Sequence, residues 1–427
     1  MFERPWRPIL QDLAAEQALA VAEEIAAALL ALAAAGPRYF ALADLAGWSL
    51  FLAHLDRARP GRGYLDRSAE LLERSVADMS RSYSPAGLYA GFSGVAWLVE
   101  YLKGWILDDD EEDDPGAEIA ASLRDHLGLT PWKGDHDLLT GLAGFGVYAL
   151  ERSPRRWGRE CLELAVSRLV ETAERRPEGI TWRTAPEVMD PEVAKRFPQG
   201  NFDMGVAHGV PGVVAMLALA NAAGVGCRPL LDAAVAWLLA QKLPPEEQSI
   251  FPHVIAPDRA PGPSRLAWCY GDLGIAAALL VAARATAEPA WEREALAIAH
   301  TCARRPEETA GVVDAGVCHG AAGNAHIFNR FFQATGDLQF AEAARFWLKR
   351  TLALRHPGEG VAGFSSWEPG DRGSAGWEDD PSLLSGAAGI GLALLAAASP
   401  VEPGWDRLFL ISIPPQLSNH RPEEDRP

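Results

Sequence analysis

The sequence predicts an all-α protein, a double α/α barrel (toroid) of seven helix pairs. Three observations lead there. First, a Gly-x-x-Gly step recurs at Gly91/Gly94, Gly141/Gly144, Gly209/Gly212, Gly271/Gly274, Gly320/Gly323 and Gly386/Gly389, spaced 49 to 68 residues apart, with a weaker copy at Gly47. Self-similarity at this period marks one array of stacked units rather than several domains. Second, each step opens a stretch that is apolar all round, such as 271–283 or 386–397, the pattern of a buried helix. Third, these stretches alternate with amphipathic ones, such as 291–302 and 338–351, which read as helices with one wet face.

Taken in order, the helices are expected over 9–35, 42–57, 64–80, 90–107, 117–127, 139–151, 156–175, 208–223, 228–241, 271–285, 290–304, 320–335, 338–353 and 386–398. Strands are expected only as short pieces in loops. The buried helices form an inner ring and the amphipathic ones an outer ring. If every pair repeats the same connection, the inner helices run parallel and their glycine steps gather at one end, where glycine permits close backbone approach. The long connections 177–204, 243–268 and 355–385 precede inner helices and are rich in Pro, Gly, Trp and charge. Loops of this length in a compact fold are usually functional, so they are expected as lids over that end. Residues 1–420 read as a single toroid domain, 421–427 as a polar tail, and the acidic run 108–114 as a solvated loop.

Composition narrows the function. The 427 residues are 48% hydrophobic and 22% charged, ordinary globular values. With 39 basic and 57 acidic residues the net charge is −18, which repels phosphate backbones and anionic membrane surfaces. No membrane span is expected, because the purest apolar runs, Ile25–Ala35 and Leu273–Ala283, are eleven residues long, and a span needs about 20. No signal peptide is visible at residues 1–6. An odd count of five cysteines argues against a disulfide framework and for a reducing, cytoplasmic location, where Cys/His clusters tend to hold metal.

Aligning the repeats on their first glycine exposes a chemical slot. His208 stands one residue before Gly209, Cys269 and Tyr270 before Gly271, Cys318 and His319 before Gly320, and Asp137 four before Gly141. Parallel inner helices would bring these side chains to one end of the barrel. Two thiols and an imidazole, Cys269, Cys318 and His319, form a three-ligand zinc set with an open fourth position, and the nearby helix N-termini favour thiolate. The competing reading is two buried cysteines and a hydrogen-bonded histidine. Cys161, Cys227 and Cys302 fall outside the slot and read as packing residues, as does His326 within its helix, while His136 and His253 remain ambiguous.

The stretches Ser264-Arg265-Leu266-Ala267-Trp268-Cys269-Tyr270-Gly271-Asp272, Val317-Cys318-His319-Gly320, Ala207-His208-Gly209-Val210-Pro211-Gly212 and Asp137-Leu138-Leu139-Thr140-Gly141-Leu142-Ala143-Gly144 resemble the signatures of the lanthipeptide cyclase family, the LanC-like proteins. The resemblance follows the glycine steps over most of the chain. It implies one zinc ion on Cys269, Cys318 and His319 that takes a substrate cysteine thiol as its fourth ligand. The thiolate would then add to dehydroalanine or dehydrobutyrine in the same peptide. His208 is implied as the proton donor to the resulting enolate, with Asp137 orienting the imidazole. Arg265 and Tyr270 would stabilise enolate charge or position the peptide, and Trp268 would wall the site. Asp272 is either a helix-start residue or a support for the site. The implied partners are a dehydrated precursor peptide and a separate dehydratase, because the toroid leaves no room for a dehydratase domain. Three other readings stand beside this one: addition of glutathione to dehydroamino acids in proteins, a non-catalytic zinc-containing scaffold, and a glycosidase on an α/α toroid. The last needs two carboxylates flanking the scissile bond, and the slot offers only Asp137.

Overall fold

The computed structural model describes residues 6–36, 42–81, 84–107, 114, 116–153, 155–368 and 375–416. Residues 108–113 of the acidic run and the tail 421–427 lie outside them. In chain order the helices are α1 (Asp12–Ala34), α2 (Leu45–Ala58), α3 (Tyr64–Arg81), α4 (Phe92–Tyr101), α5 (Ala117–Leu127), α6 (Leu142–Arg152), α7 (Gly158–Thr172), α8 (Pro191–Arg196), α9 (Val210–Ala222), α10 (Arg228–Leu239), α11 (Asp272–Thr286), α12 (Pro289–Arg304), α13 (Glu307–Ala310), α14 (Ala321–Thr335), α15 (Leu338–Ala353) and α16 (Ala387–Ala398). Every expected helix is present. The short α8 and α13 were not anticipated, because single turns inside loops leave no periodic signal.

Helices α2, α4, α6, α9, α11, α14 and α16 pack side by side and close on themselves through α16 and α2, forming the inner ring. Their burial follows from their composition: α16 is buried from Ala387 to Ala398 and α11 from Asp272 to Arg284. Their outer partners are α3, α5, α7, α10, α12, α15 and α1. Six outer helices follow their inner partner in the chain. The seventh, α1, packs instead on α16, where Trp6 Nε1 donates to the Ala396 carbonyl (2.7 Å) and Ile9 N to Ala397 (3.0 Å). The first segment of the chain thus completes the last repeat.

α1 also corrects an expectation. At 23 residues it is long and apolar enough to cross a membrane by length and composition. Glu23 and Glu24 divide the stretch, so it does not read as one uninterrupted apolar run. In the fold its Ala18, Leu19, Ala22, Ile25, Ala26 and Leu29 are buried against the barrel.

The inner helices begin alike. First-turn N–H groups have no partner within a helix. Here the preceding loop doubles back to supply one: Leu142, Ala143 and Gly144 donate to the carbonyls of Asp135, His136 and Asp137, and Ala321, Ala322 and Gly323 to those of Asp314, Ala315 and Gly316. The glycine repeat is the steric consequence. A Cβ on Gly144 would collide with the Leu138 carbonyl and sit 2.9 Å from Leu88 Cβ. Gly47 is the second glycine of its repeat, since α2 starts after Asp44, which stands in the first position. Gly144→Ala is therefore expected to lower stability by about 2 kcal/mol or more, the scale of overpacking a rigid backbone. Gly226→Ala is the control, having nothing within 4 Å of its Cβ position, and should stay within about 0.5 kcal/mol. Thermal melts of both variants check this, and equal melting temperatures would remove the steric account.

The loops are also stitched to one another around the ring. Tyr89 N donates to Leu139 O, Leu138 N to Ala207 O, Cys269 N to Cys318 O, and both Val317 N and Cys318 N to Leu384 O (2.8–3.1 Å). The expected lids carry structure of their own: β1 (Glu174–Arg176) with β2 (Gly179–Thr181), β3 (Phe202–Asp203) with β4 (Val254–Ile255), and β5 (Ser366–Glu368) with β6 (Gly376–Glu378), each pair antiparallel. Asp114 departs from the solvated-loop expectation, since its carboxylate bonds the buried Arg152 (2.5 and 3.1 Å).

Candidate metal centre and active site

The sequence-predicted residues meet at the end where the inner helices start. Asp137 is buried, and its Oδ1 accepts from Thr140 N (2.7 Å) and Oγ1 (3.0 Å). Its Oδ2 lies 2.6 Å from His208 Nδ1. The Tyr270 ring stacks on the His208 ring at 5.9 Å between centroids and 24° between planes. Through Tyr270 the pair adjoins Cys269, whose thiol lies with Cys318 and His319 in a cluster with all ligand atoms within 4.8 Å of one another. Arg265 is half-buried, and its charge acts on both thiols.

Electrostatics divide the labour. Burial pushes the His208 imidazole down, but the bond and charge of Asp137, with the charges of Asp203 and Asp135, lift it to about 9. Burial also works against charge on Asp137, yet the His208 bond and the Thr140 N–H hold it below the usual carboxylate range. Around neutral pH the two form an imidazolium–carboxylate pair. Nδ1–H donates to Asp137, which leaves Nε2–H as the free proton. The Cys269 thiol sits well below its ordinary value, chiefly because Cys318 hydrogen-bonds to it; burial opposes this, and His319 adds to it.

The donor set suits zinc. Two sulfurs and one imidazole nitrogen converge, and a three-residue set leaves one tetrahedral position for a substrate. His319 Nε2 is buried without a hydrogen bond and lies 3.4 Å from Asp314 Oδ2. A ligating histidine commonly turns its second nitrogen to a carboxylate in this way. Asp314 is itself anchored by the N–H groups of Gly316 and Trp367, both at 3.0 Å.

The model of the lanthionine synthetase C-like protein family matches residues 44–410. The chain belongs to that family. It is 24% identical to the nisin biosynthesis protein NisC of Lactococcus lactis subsp. lactis over 321 residues, 69% of this chain and 74% of that protein. The solved structure of nisin cyclase superposes with a TM-score of 0.68 at 20% identity, covering 86% of this chain and 91% of that one. This likeness covers most of both chains and shows that they share the α/α toroid fold.

Three further acids stand at this site, Asp135 and Asp203 by His208 and Asp314 by His319, and the sequence carries a signal for them. Six residues before the first glycine stand Asp135, Asp203, Arg265, Asp314 and Asp380, a charged position in five repeats. At Asp135, Asp314 and Asp380 that position supplies the carbonyl that the first inner-helix turn bonds, which holds the residue near the helix start. His136, left ambiguous by sequence, is buried with Nδ1 3.2 Å from Asp135 Oδ1. Other candidates fall outside the site. Trp268 is buried against Phe409 and donates to its carbonyl (2.9 Å). Asp272 is a helix-start residue that accepts from Ile250 N (2.8 Å) and Phe251 N (2.9 Å). His326 is a core residue bonded to Asp406 (2.7 Å). Cys161, Cys227 and Cys302 are buried and unpaired.

Proposed function

We propose that this chain is a zinc-dependent cyclase that forms lanthionine rings in a dehydrated precursor peptide, by adding cysteine thiolates to dehydroalanine or dehydrobutyrine. One observation carries the reading. His208, bonded to Asp137, stacks on Tyr270, the residue that follows Cys269 of an open Cys2His set. A proton donor thus stands beside a place for a soft nucleophile.

Zinc on Cys269, Cys318 and His319 would lower the pKa of a bound substrate thiol and hold it as thiolate. The chain's own groups manage the proton. The sulfur–hydrogen bond breaks, the new bond joins sulfur to the β-carbon, and the double-bond electrons move toward the carbonyl. His208, cationic near neutral pH, gives the α-carbon its proton from Nε2. The thiol proton goes to solvent or returns to His208, so the reaction is an isomerisation. Asp137 keeps Nδ1 protonated and the ring in place, and Arg265 offers the positive charge for the enolate oxygen. The partners are the dehydrated peptide and a separate dehydratase, and five free cysteines suit a reducing cytoplasm.

The experiment incubates zinc-loaded protein with a peptide containing one cysteine and one dehydroalanine. Loss of free thiol at unchanged mass supports ring closure. Gain of one water mass means hydrolysis and overturns the reading. With glutathione present, gain of one glutathione mass instead of ring closure assigns the intermolecular reaction, and no thiol loss at all leaves a binding protein.

A further inference from the structure

We propose that Asp203 is a positioning residue of this site: held by Thr184, its carboxylate takes the Tyr270 hydroxyl, sets that ring against His208 and places a second negative charge beside the imidazole. The inference rests on the reading above, in which His208 is the proton donor.

The repeat itself makes Asp203 stand out. In the equivalent position of other repeats, Asp135, Asp314 and Asp380 each spend a carboxylate oxygen on an N–H of their own loop, at His136 (2.6 Å), Gly316 (3.0 Å) and Ser382 (2.6 Å). Asp203 turns outward. Its Oδ2 accepts from Thr184 Oγ1 (3.0 Å), and it interacts with the Tyr270 hydroxyl: beside burial, the Asp203 charge pushes the phenol up, and the phenol in turn works to lower the carboxyl. Thr184 lies earlier in the same long connection, and Tyr270 comes from the loop before α11. The backbone is fixed on both sides: Asp203 pairs with Val254 in the β3–β4 ladder, and its carbonyl packs so closely on Gly209 that a Cβ there would collide with it. Asp203 is 7% exposed, so it acts through Tyr270 and His208 rather than on substrate.

A chemical consequence follows for Tyr270. A phenol has one proton to donate. Given to Asp203, it is not available to an enolate oxygen, so Tyr270 serves as a wall against His208 and the enolate's positive partner is Arg265. The groups facing His208 are Asp135, His136 and Asp137 from the loop before α6, Asp203 from β3 and Tyr270 from the loop before α11.

The test is an NMR titration of the His208 ring in zinc-loaded protein without substrate. In Asp203→Asn, which keeps an acceptor for both hydroxyls and loses the charge, the midpoint should fall by about one pH unit, a tenfold rise in the acid constant, with zinc content unchanged. Thr184→Val is the second variant. Burial already pushes the Asp203 carboxyl up, so losing one donor favours its protonation and should move His208 the same way by less. A structural role alone would lower the melting temperature and leave the midpoint in place. An unchanged midpoint in folded Asp203→Asn, or in Thr184→Val should the first variant not fold, overturns the proposal. Wild-type protein that closes no rings but keeps an Asp203-dependent midpoint refutes the cyclase reading and not this one.

Discussion

His208→Asn should still bind one zinc per chain and should lose about 10² to 10⁴ in the rate of ring closure, the usual worth of a positioned acid. The residue sits in the same slot as the metal ligands, but its Nδ1 is committed to Asp137 at 2.6 Å and the cluster of ligand atoms is complete without it. The pH dependence carries the sign. The folded imidazole is raised to about 9 from an ordinary 6.5, so the acid form persists through neutrality and is lost as pH rises through about 9. Wild-type kcat/KM should fall there, and the same limb should be missing from the residual activity of His208→Asn. Linkage adds a stability readout. A raised imidazole contributes stability that is fully present below 6.5 and disappears as pH climbs to about 9, so the melting temperature of the variant should vary less than wild type across that window. Metal analysis of the purified variant decides the assignment: loss of zinc would make His208 a ligand and the mechanism wrong.

Cys318→Ala should lose stoichiometric zinc, and ring closure with it. The thiol sits in a cluster with Cys269 and His319, and removing one of two thiolates leaves a two-ligand remnant. Metal content after chelation and reloading should drop from one per chain to a small fraction. Cobalt substitution gives a second readout, because the sulfur-to-metal charge-transfer band should weaken. Cys302→Ala is the internal control, since Cys302 is buried in α12, outside that cluster, and should keep full metal content. Tight, stoichiometric zinc in Cys318→Ala would remove the ligand assignment.

Most of the site was legible because the fold is a repeat. Six glycine steps mark six equivalent helix starts, and the residues beside them share one neighbourhood if the inner helices run parallel. That is how Asp137, His208, Cys269, Cys318 and His319, spread over 183 positions (137 to 319), could be gathered without coordinates. The fourteen helices were legible for a related reason: a helix buried on all sides and a helix buried on one side differ in composition as well as in period. What stayed hidden depended on side-chain direction. Asp135, Asp203, Asp314 and Asp380 share one position in the repeat, yet three accept an N–H of their own loop, Asp314 takes Trp367 N as well, and Asp203 accepts the Thr184 hydroxyl. Trp268 stands next to Cys269, but its ring packs on Phe409.

By itself, the sequence determined the all-α class, the seven repeats, the start of each inner helix and which side chains gather at one end of the ring. These depend on local rules: apolar periodicity selects burial, and glycine marks where a loop carbonyl crowds a helix start. Only the tertiary structure decided which ends of the chain meet, which nitrogen of His208 faces Asp137, and where each acid points. α1 had the apolarity of a membrane span, and its use as the outer partner of α16 is settled by a contact between segments more than 350 residues apart. Pairing across such distances is not written in any window of sequence, because it depends on which surface remains uncovered once seven inner helices have closed the ring and six of them are covered.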